Sequence, residues 1–178
     1  DYPLEKNIKN LSEFKNKETS SLTVCVLDRP RHKMIVDELK DLNVNIKLIT
    51  DGDVLGALLV SDPKYNVDMF LGIGGGPEGV IAASALDTYD CFFQGRFIFD
   101  NDKNIQEAKS MGITDLKKKY ELKEIIKGDS IFCASGITSS KVIKGIVIEG
   151  DKFISETLVT HKNNNFKEIV KSVNSINE

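Results

Sequence analysis

The chain has 178 residues, 40% of them hydrophobic, a length at which one hydrophobic core can form and which favours a single domain over residues 1–178. Its 24 basic and 27 acidic residues are dispersed, for a net charge of -3, so no basic stripe offers nucleic acid a footprint. No run of about 18 apolar residues and no basic, apolar, small-residue leader stands out, which predicts neither a membrane span nor a secretory signal and points to a cytoplasmic setting.

In chain order, helical periodicity predicts a first helix over residues 4–15, and a β-branched run predicts a strand over 22–27. A helix over 30–41, a strand over 45–49 and a helix over 54–60 follow. A strand over 67–73, a helix over 77–86 and a Phe-rich strand over 91–99 come next. Helices over 104–111 and 122–127 then precede a buried strand over 130–134. Alternating strands and crossover helices predict an α/β fold with a mostly parallel mixed sheet flanked by helices. Residues 145–149 and 152–159 flank Gly150-Asp151 and read as a β-hairpin, hence an antiparallel edge. The polar stretch 162–165 reads as a mobile loop.

Cys25, Cys91 and Cys133 are far apart, and each sits in an apolar run. They are expected to be buried free thiols, because an odd count without a close pair argues against a disulfide frame. His32 and His161 are too few for a histidine-rich zinc site. Both read as structural or solvent-exposed rather than catalytic, because spacing implies no Ser, Cys or carboxylate partner, and neither receives a role.

In open α/β sheets, ligands bind beyond the carboxyl ends of the strands, so the loops there carry the candidate chemistry. The first such loop is Asp28-Arg29-Pro30-Arg31-His32. Two guanidinium groups around a stiff proline suit phosphate or carboxylate; the bland reading has Asp28 capping a helix that Pro30 begins. The second is Asp51-Gly52-Asp53, whose carboxylates can accept from sugar hydroxyls or ligate a hard cation. Asp-Gly is also ordinary turn chemistry, and either Asp would serve as an N-cap. The third, Gly72-Ile73-Gly74-Gly75-Gly76-Pro77-Glu78-Gly79, lets backbone approach a ligand and offers the start of a helix to an anion. It lacks the P-loop lysine, and Glu78 would repel a bare pyrophosphate unless a cation stood between them. Glu78 reads either as a metal ligand or as a first-turn carboxylate that complements the helix dipole. Gln94-Gly95-Arg96 and Ser135-Gly136-Ile137-Thr138 are read as lesser elements, more bulge and turn than site.

Taken in this order and at these intervals, the loops at 28–32, 51–54, 72–79, 94–96 and 136–138 resemble the C-terminal half of class II (GlpX-type) fructose-bisphosphatases, over about residues 4–145. Family members carry Ala where this chain has Gly76, and a Gly-Gly-Asp-Met lead-in where it has Asp90-Cys91-Phe92-Phe93. The resemblance implies the C-terminal domain of an inositol-phosphatase-like sugar phosphatase fold. It also implies a gluconeogenic enzyme that removes the C1 phosphate of fructose 1,6-bisphosphate with manganese or magnesium, and in some members acts on sedoheptulose 1,7-bisphosphate. Residue by residue it implies that Arg29, Pro30 and Arg31 contact phosphate and sugar, that Asp51, Gly52 and Asp53 hold sugar hydroxyls, that Gly75 offers backbone contact and that Glu78 ligates metal. It further implies that the other metal-binding carboxylates lie in an N-terminal half absent here; a chain that opens on Asp1 rather than Met reads as a processed chain or an excised fragment. The isolated chain is then expected to be inactive, and the full-length protein to be a homo-oligomer. A non-catalytic α/β module that binds a sugar phosphate or nucleotide stays open as the alternative.

Overall fold

The structure, a computed structural model, describes residues 2–176; Asp1, on which the reading of an excised fragment rests, lies outside them. Leu4, Ile8 and Leu11 recur on one side of helix α1 (Leu4–Lys15) and turn it toward the interior, where Ile8 is buried. The helix stops at Asn16, which takes the left-handed conformation with φ 50°. Strand β1 (Thr23–Leu27) is buried at every position. It is the centre of a three-stranded parallel sheet, with β2 (Asn45–Ile49) on one side and β3 (Met69–Phe70) on the other. Both faces of β1 are covered, so its sequence is apolar without alternation. Val24 and Val26 pack with Ile8, Leu39 and Val44 on one face, and Cys25 packs with Leu59 and Val67 on the other.

Helix α2 (Lys33–Asp41) links β1 to β2, helix α3 (Asp53–Leu58) follows β2, and helix α4 (Gly76–Thr88) follows β3. The buried stretch of α4 is rich in alanine. Ala82, Ala85 and Leu86 meet Ala57 and Leu58 of α3 in one cluster with Leu122, Phe132, Ile143 and Leu158. Val80 and Ile81 near the start of α4 are exposed, and the helix is buried only from Ala82 on, the part by which it joins the parallel sheet to the rest of the chain. Beyond it, β4 (Gln94–Arg96) pairs antiparallel with β5 (Lys119–Glu121), with α5 (Asp102–Ser110) between them. Helix α6 (Leu122–Ile125) leads to β6 (Ile131–Ser135), β7 (Val147–Glu149), β8 (Lys152–His161) and β9 (Phe166–Ser175), an antiparallel sheet in which β8 pairs with the other three.

The α/β class and the helix-flanked parallel sheet are as expected, with parallel pairing confined to β1–β3. The strand expected over 67–73 is reduced to Met69–Phe70, and the one over 91–99 to Gln94–Arg96. The expected hairpin forms with β7 shortened to Val147–Glu149, three residues that pair with Lys152, Phe153 and Ile154, while β8 runs on to His161. The stretch 162–165 is a tight turn rather than a mobile loop: the Asn165 N–H donates to the Lys162 carbonyl at 3.1 Å, and two ten-residue strands meet there. Cys25 is buried, but Cys91 is half-buried and Cys133 exposed. Period-two alternation turns Phe132 inward and Cys133 out. No helix among the described residues is long and apolar enough to cross a membrane.

Candidate functional site

Three loops meet beyond the carboxyl ends of β1, β2 and β3. The β1 loop stays in register at first, because the Asp28 N–H donates to the Ile49 carbonyl at 2.8 Å. Arg29 is extended, and Pro30 opens a single 3₁₀ turn, Pro30–His32. One Nη of Arg29 donates to the Asp28 carbonyl at 3.0 Å, and the other stands 4.0 Å from a carboxylate oxygen of Asp51 on the β2 loop. Arg31 Nε donates to the Ile73 carbonyl of the β3 loop at 2.7 Å. A guanidinium carries five N–H donors, and each of these hydrogen bonds engages one. The capping alternative for Asp28 is not realised: Arg29 holds the cap position of the 3₁₀ turn and His32 that of α2.

On the β2 loop, Gly52 has φ 80° and holds the cap position of α3, a conformation that L side chains enter only with strain. The Asp51 carboxylate accepts from the Gly52 N–H at 2.8 Å, and Asp53 Oδ1 accepts from the Val54 N–H at 2.9 Å. Neither caps the helix. Asp53 Oδ2 lies against Gly74, 3.3 Å from where a Cβ there would sit.

The β3 loop is exposed from Gly72 to Glu78. Gly75 precedes α4, Pro77 lies in its opening residues, and the Gly79 N–H donates to the Gly75 carbonyl at 3.1 Å. Glu78 stands in the first turn, where the helix dipole favours negative charge. Its carboxylate folds back over Gly75 so closely that any Cβ at that position would collide with it. The Phe97 ring lies beside Gly76, 3.6 Å from a Cβ placed there, and packs edge-on against Tyr120 with centroids 5.7 Å apart.

Arg29, Pro30, Arg31, Asp51, Gly52, Asp53, Gly75 and Glu78 therefore share one end of the parallel sheet. The 94–96 and 136–138 elements are not part of these three loops in the chain, although Phe97, next to Arg96, stands beside Gly76. Gln94–Arg96 pairs with β5, and the Gly136 N–H donates to the Glu156 carbonyl at 2.9 Å within the antiparallel sheet. Sequence reasoning left His32 either structural or solvent-exposed, and the fold makes it structural. It is wholly buried, and its two ring nitrogens face Leu27 of β1 and Ile73 of the β3 loop. Burial of the last residue in a charged loop has no periodic signature, so only the fold reveals it.

Among the described residues no group of three or more His, Cys, Asp or Glu side chains could hold a metal ion. Glu78 alone is not a cation site, since a hard divalent ion takes six or more oxygens. A cleft of about 220 Å³ opens at the opposite end of α4, lined by Asp87, Asp90, Cys91, Phe93 and Lys162 among others. Lys162 is already engaged there, donating to the Asp87 carbonyl at 2.6 Å and pairing with Asp90, whose carboxyl its ammonium holds below the usual range. The loop end of the sheet brings together arginines after β1, carboxylates after β2 and a glycine-rich helix start after β3, and is the better candidate.

The profile of the family described as "Bacterial fructose-1,6-bisphosphatase, glpX-encoded" matches residues 1–176. A D-fructose 1,6-bisphosphatase class 2/sedoheptulose 1,7-bisphosphatase of Synechococcus sp. (strain JA-2-3B'a(2-13)) is 37% identical over 89% of this chain and 50% of its own length. The protein of that name from Trichodesmium erythraeum (strain IMS101) is 31% identical over 97% of this chain and 54% of its own. That from Thermosynechococcus vestitus (strain NIES-2133 / IAM M-273 / BP-1) is 36% identical over 79% and 44%. The chain spans about half the length of the curated relatives it matches. With the profile covering it almost end to end, this chain belongs to the bacterial, glpX-encoded fructose-1,6-bisphosphatase family.

Proposed function

We propose that this chain forms the sugar-phosphate-binding part of a bisphosphatase that hydrolyses fructose 1,6-bisphosphate to fructose 6-phosphate, as a step of gluconeogenesis, with sedoheptulose 1,7-bisphosphate as a further substrate. The observation that supports this most is the meeting of the arginine, aspartate and glycine loops at one sheet end, in a chain of this family. Arg29 and Arg31 bind phosphoryl oxygens and offset the charge that builds on them during hydrolysis. Asp51 and Asp53 accept from sugar hydroxyls across the Gly52 turn, Pro30 stiffens the arginine loop, and Gly75 presents backbone to the ligand.

Glu78 supplies one carboxylate to a manganese or magnesium site whose other ligands come from outside this chain. Such an ion, when bound, lowers the pKa of an attacking water and offsets charge on the leaving oxygen. A lone carboxylate does neither, so the isolated chain binds substrate and releases negligible phosphate. Family membership alone supports two further parts of the reading, a cytoplasmic setting and a homo-oligomeric full-length protein.

Calorimetric titration of fructose 1,6-bisphosphate into the chain, with and without manganese, tests the assignment. Wild type should bind and the Arg29→Ala, Arg31→Ala double variant should not. Equal binding by both would remove the arginine loop from the site, and metal-dependent phosphate release by the highly purified chain would remove the claim of inactivity. A second reading, a non-catalytic anion-binding module, draws on the lack of an acidic cluster among the described residues. In that case Glu78→Gln should bind the sugar phosphate as well as wild type or better.

A further inference from the structure

We infer that His32 is a positioning residue: its imidazole locks the arginine loop and the glycine loop into one geometry, and this sets where Arg31 and the start of α4 stand. The inference rests on the proposed sugar-phosphate reading only for its effect on affinity.

The Ile73 N–H points at His32 Nε2 at 2.8 Å. The Ile73 carbonyl also stands 3.1 Å from Nε2, but the N–H is nearer and can only donate, so in the neutral imidazole Nε2 carries its lone pair and the ring proton is on Nδ1. Nδ1–H then donates to the Leu27 carbonyl at 2.8 Å, at the last residue of β1. One ring thus joins the end of the central strand to the loop after β3, with a donor on one side and an acceptor on the other.

The neighbouring side chain completes the link, because Arg31 Nε donates to the carbonyl of the same Ile73 at 2.7 Å. Both backbone polar groups of Ile73 are held by consecutive residues of the β1 loop. From Ile73 the chain runs through Gly74 and Gly75 into α4, and this glycine run has little stiffness of its own. Its direction is therefore set at Ile73. The His32 side chain is fully buried, and its edge lies 3.5 Å from a Cβ placed at Gly72, so the ring has a packed seat as well as two bonds.

The two amide side chains separate the bonds. His32→Gln places an oxygen where Nε2 was and keeps an acceptor for the Ile73 N–H. His32→Asn places its amide near Nδ1, keeps the Leu27 contact and leaves Ile73 without a partner. The measurement is amide hydrogen exchange of Ile73 relative to Val24 and Val26 of β1, which report any change in global stability. Alongside it, the dissociation constant for fructose 1,6-bisphosphate is measured.

Asn should raise the relative exchange rate at Ile73 by about tenfold, the scale of one lost buried hydrogen bond, while Gln holds it within about threefold of wild type. Asn should also weaken sugar-phosphate binding more than Gln does. Equal relative exchange in both variants would overturn the link. A selective change at Ile73 without a matching loss of affinity would overturn the positioning role. Should wild type bind no sugar phosphate, the functional reading falls, and the exchange ratio still decides whether His32 holds the two loops together.

Discussion

Glu78 and Gly75 show how one missing Cβ shapes a site. Gly75 has φ -69°, an angle open to any residue, so its value lies in space rather than in backbone freedom. Glu78 occupies the volume that a side chain at position 75 would need. Gly75→Ala should accordingly leave the denaturation midpoint at or slightly above wild type, because alanine reduces the entropy of the unfolded chain. In the full-length protein it should also displace the Glu78 carboxylate and reduce manganese-dependent sugar-phosphate binding by about threefold or more, in proportion to the loss of one charge-assisted contact. Unfolding in urea and calorimetry check the two halves, and a marked loss of stability would show that the Glu78 side chain cannot move aside. At this scale the sequence was informative wherever chemistry is local: Arg29, Arg31, Asp51, Asp53 and Glu78 all stand at strand ends or helix starts, as their neighbours implied. His32 was not legible, since its partners Leu27 and Ile73 are set by the pairing of β1 with β3.

Elements were legible in proportion to their periodicity. Helix α1 carries its stripe, and its bounds emerged as read. The strand after Val67 did not, because only Met69 and Phe70 pair with β1 before the glycine run leaves the sheet. Strand β9 was missed because it lies on the sheet edge and is exposed over nearly its whole length, so no face is uniformly apolar.

Asp68 ties such elements together without any pattern to announce it. Its side chain is 4% exposed, pairs with Lys17 at 2.8 Å and accepts from the Thr23 N–H at 2.9 Å. Burial pushes its pKa up, but the lysine ammonium groups and that N–H win and hold it below 3.8. A depressed folded-state pKa means that the stabilisation is complete above the ordinary carboxylate value and is lost as pH falls from there through the folded value. Stability measured by urea against pH should therefore drop more steeply below about pH 4 in wild type than in Asp68→Ala. At neutral pH that variant should be about 2–3 kcal/mol less stable. Parallel pH profiles for the two proteins would contradict this.

For the whole molecule, α4 is the member that both halves of the fold share. Its first turn faces the three loops, its alanine-rich stretch packs on α3, β6 and β8, and its last turn is held by Lys162 from the β8–β9 turn. The sequence announced the helix and the hairpin separately. Their contact depends on a hydrogen bond between residues 75 positions apart, and the antiparallel sheet beneath it on the pairing of β6 with β8 across the intervening β7, neither of which local periodicity encodes. The central claim is that loops from three parallel strands form one sugar-phosphate surface. The most direct measurement is titration of fructose 1,6-bisphosphate into the ¹⁵N-labelled chain, followed amide by amide. Shifts that saturate together across residues 28–32, 51–53 and 72–79 would be the predicted result, whereas shifts confined to the cleft around Asp87, Asp90 and Lys162 would contradict it.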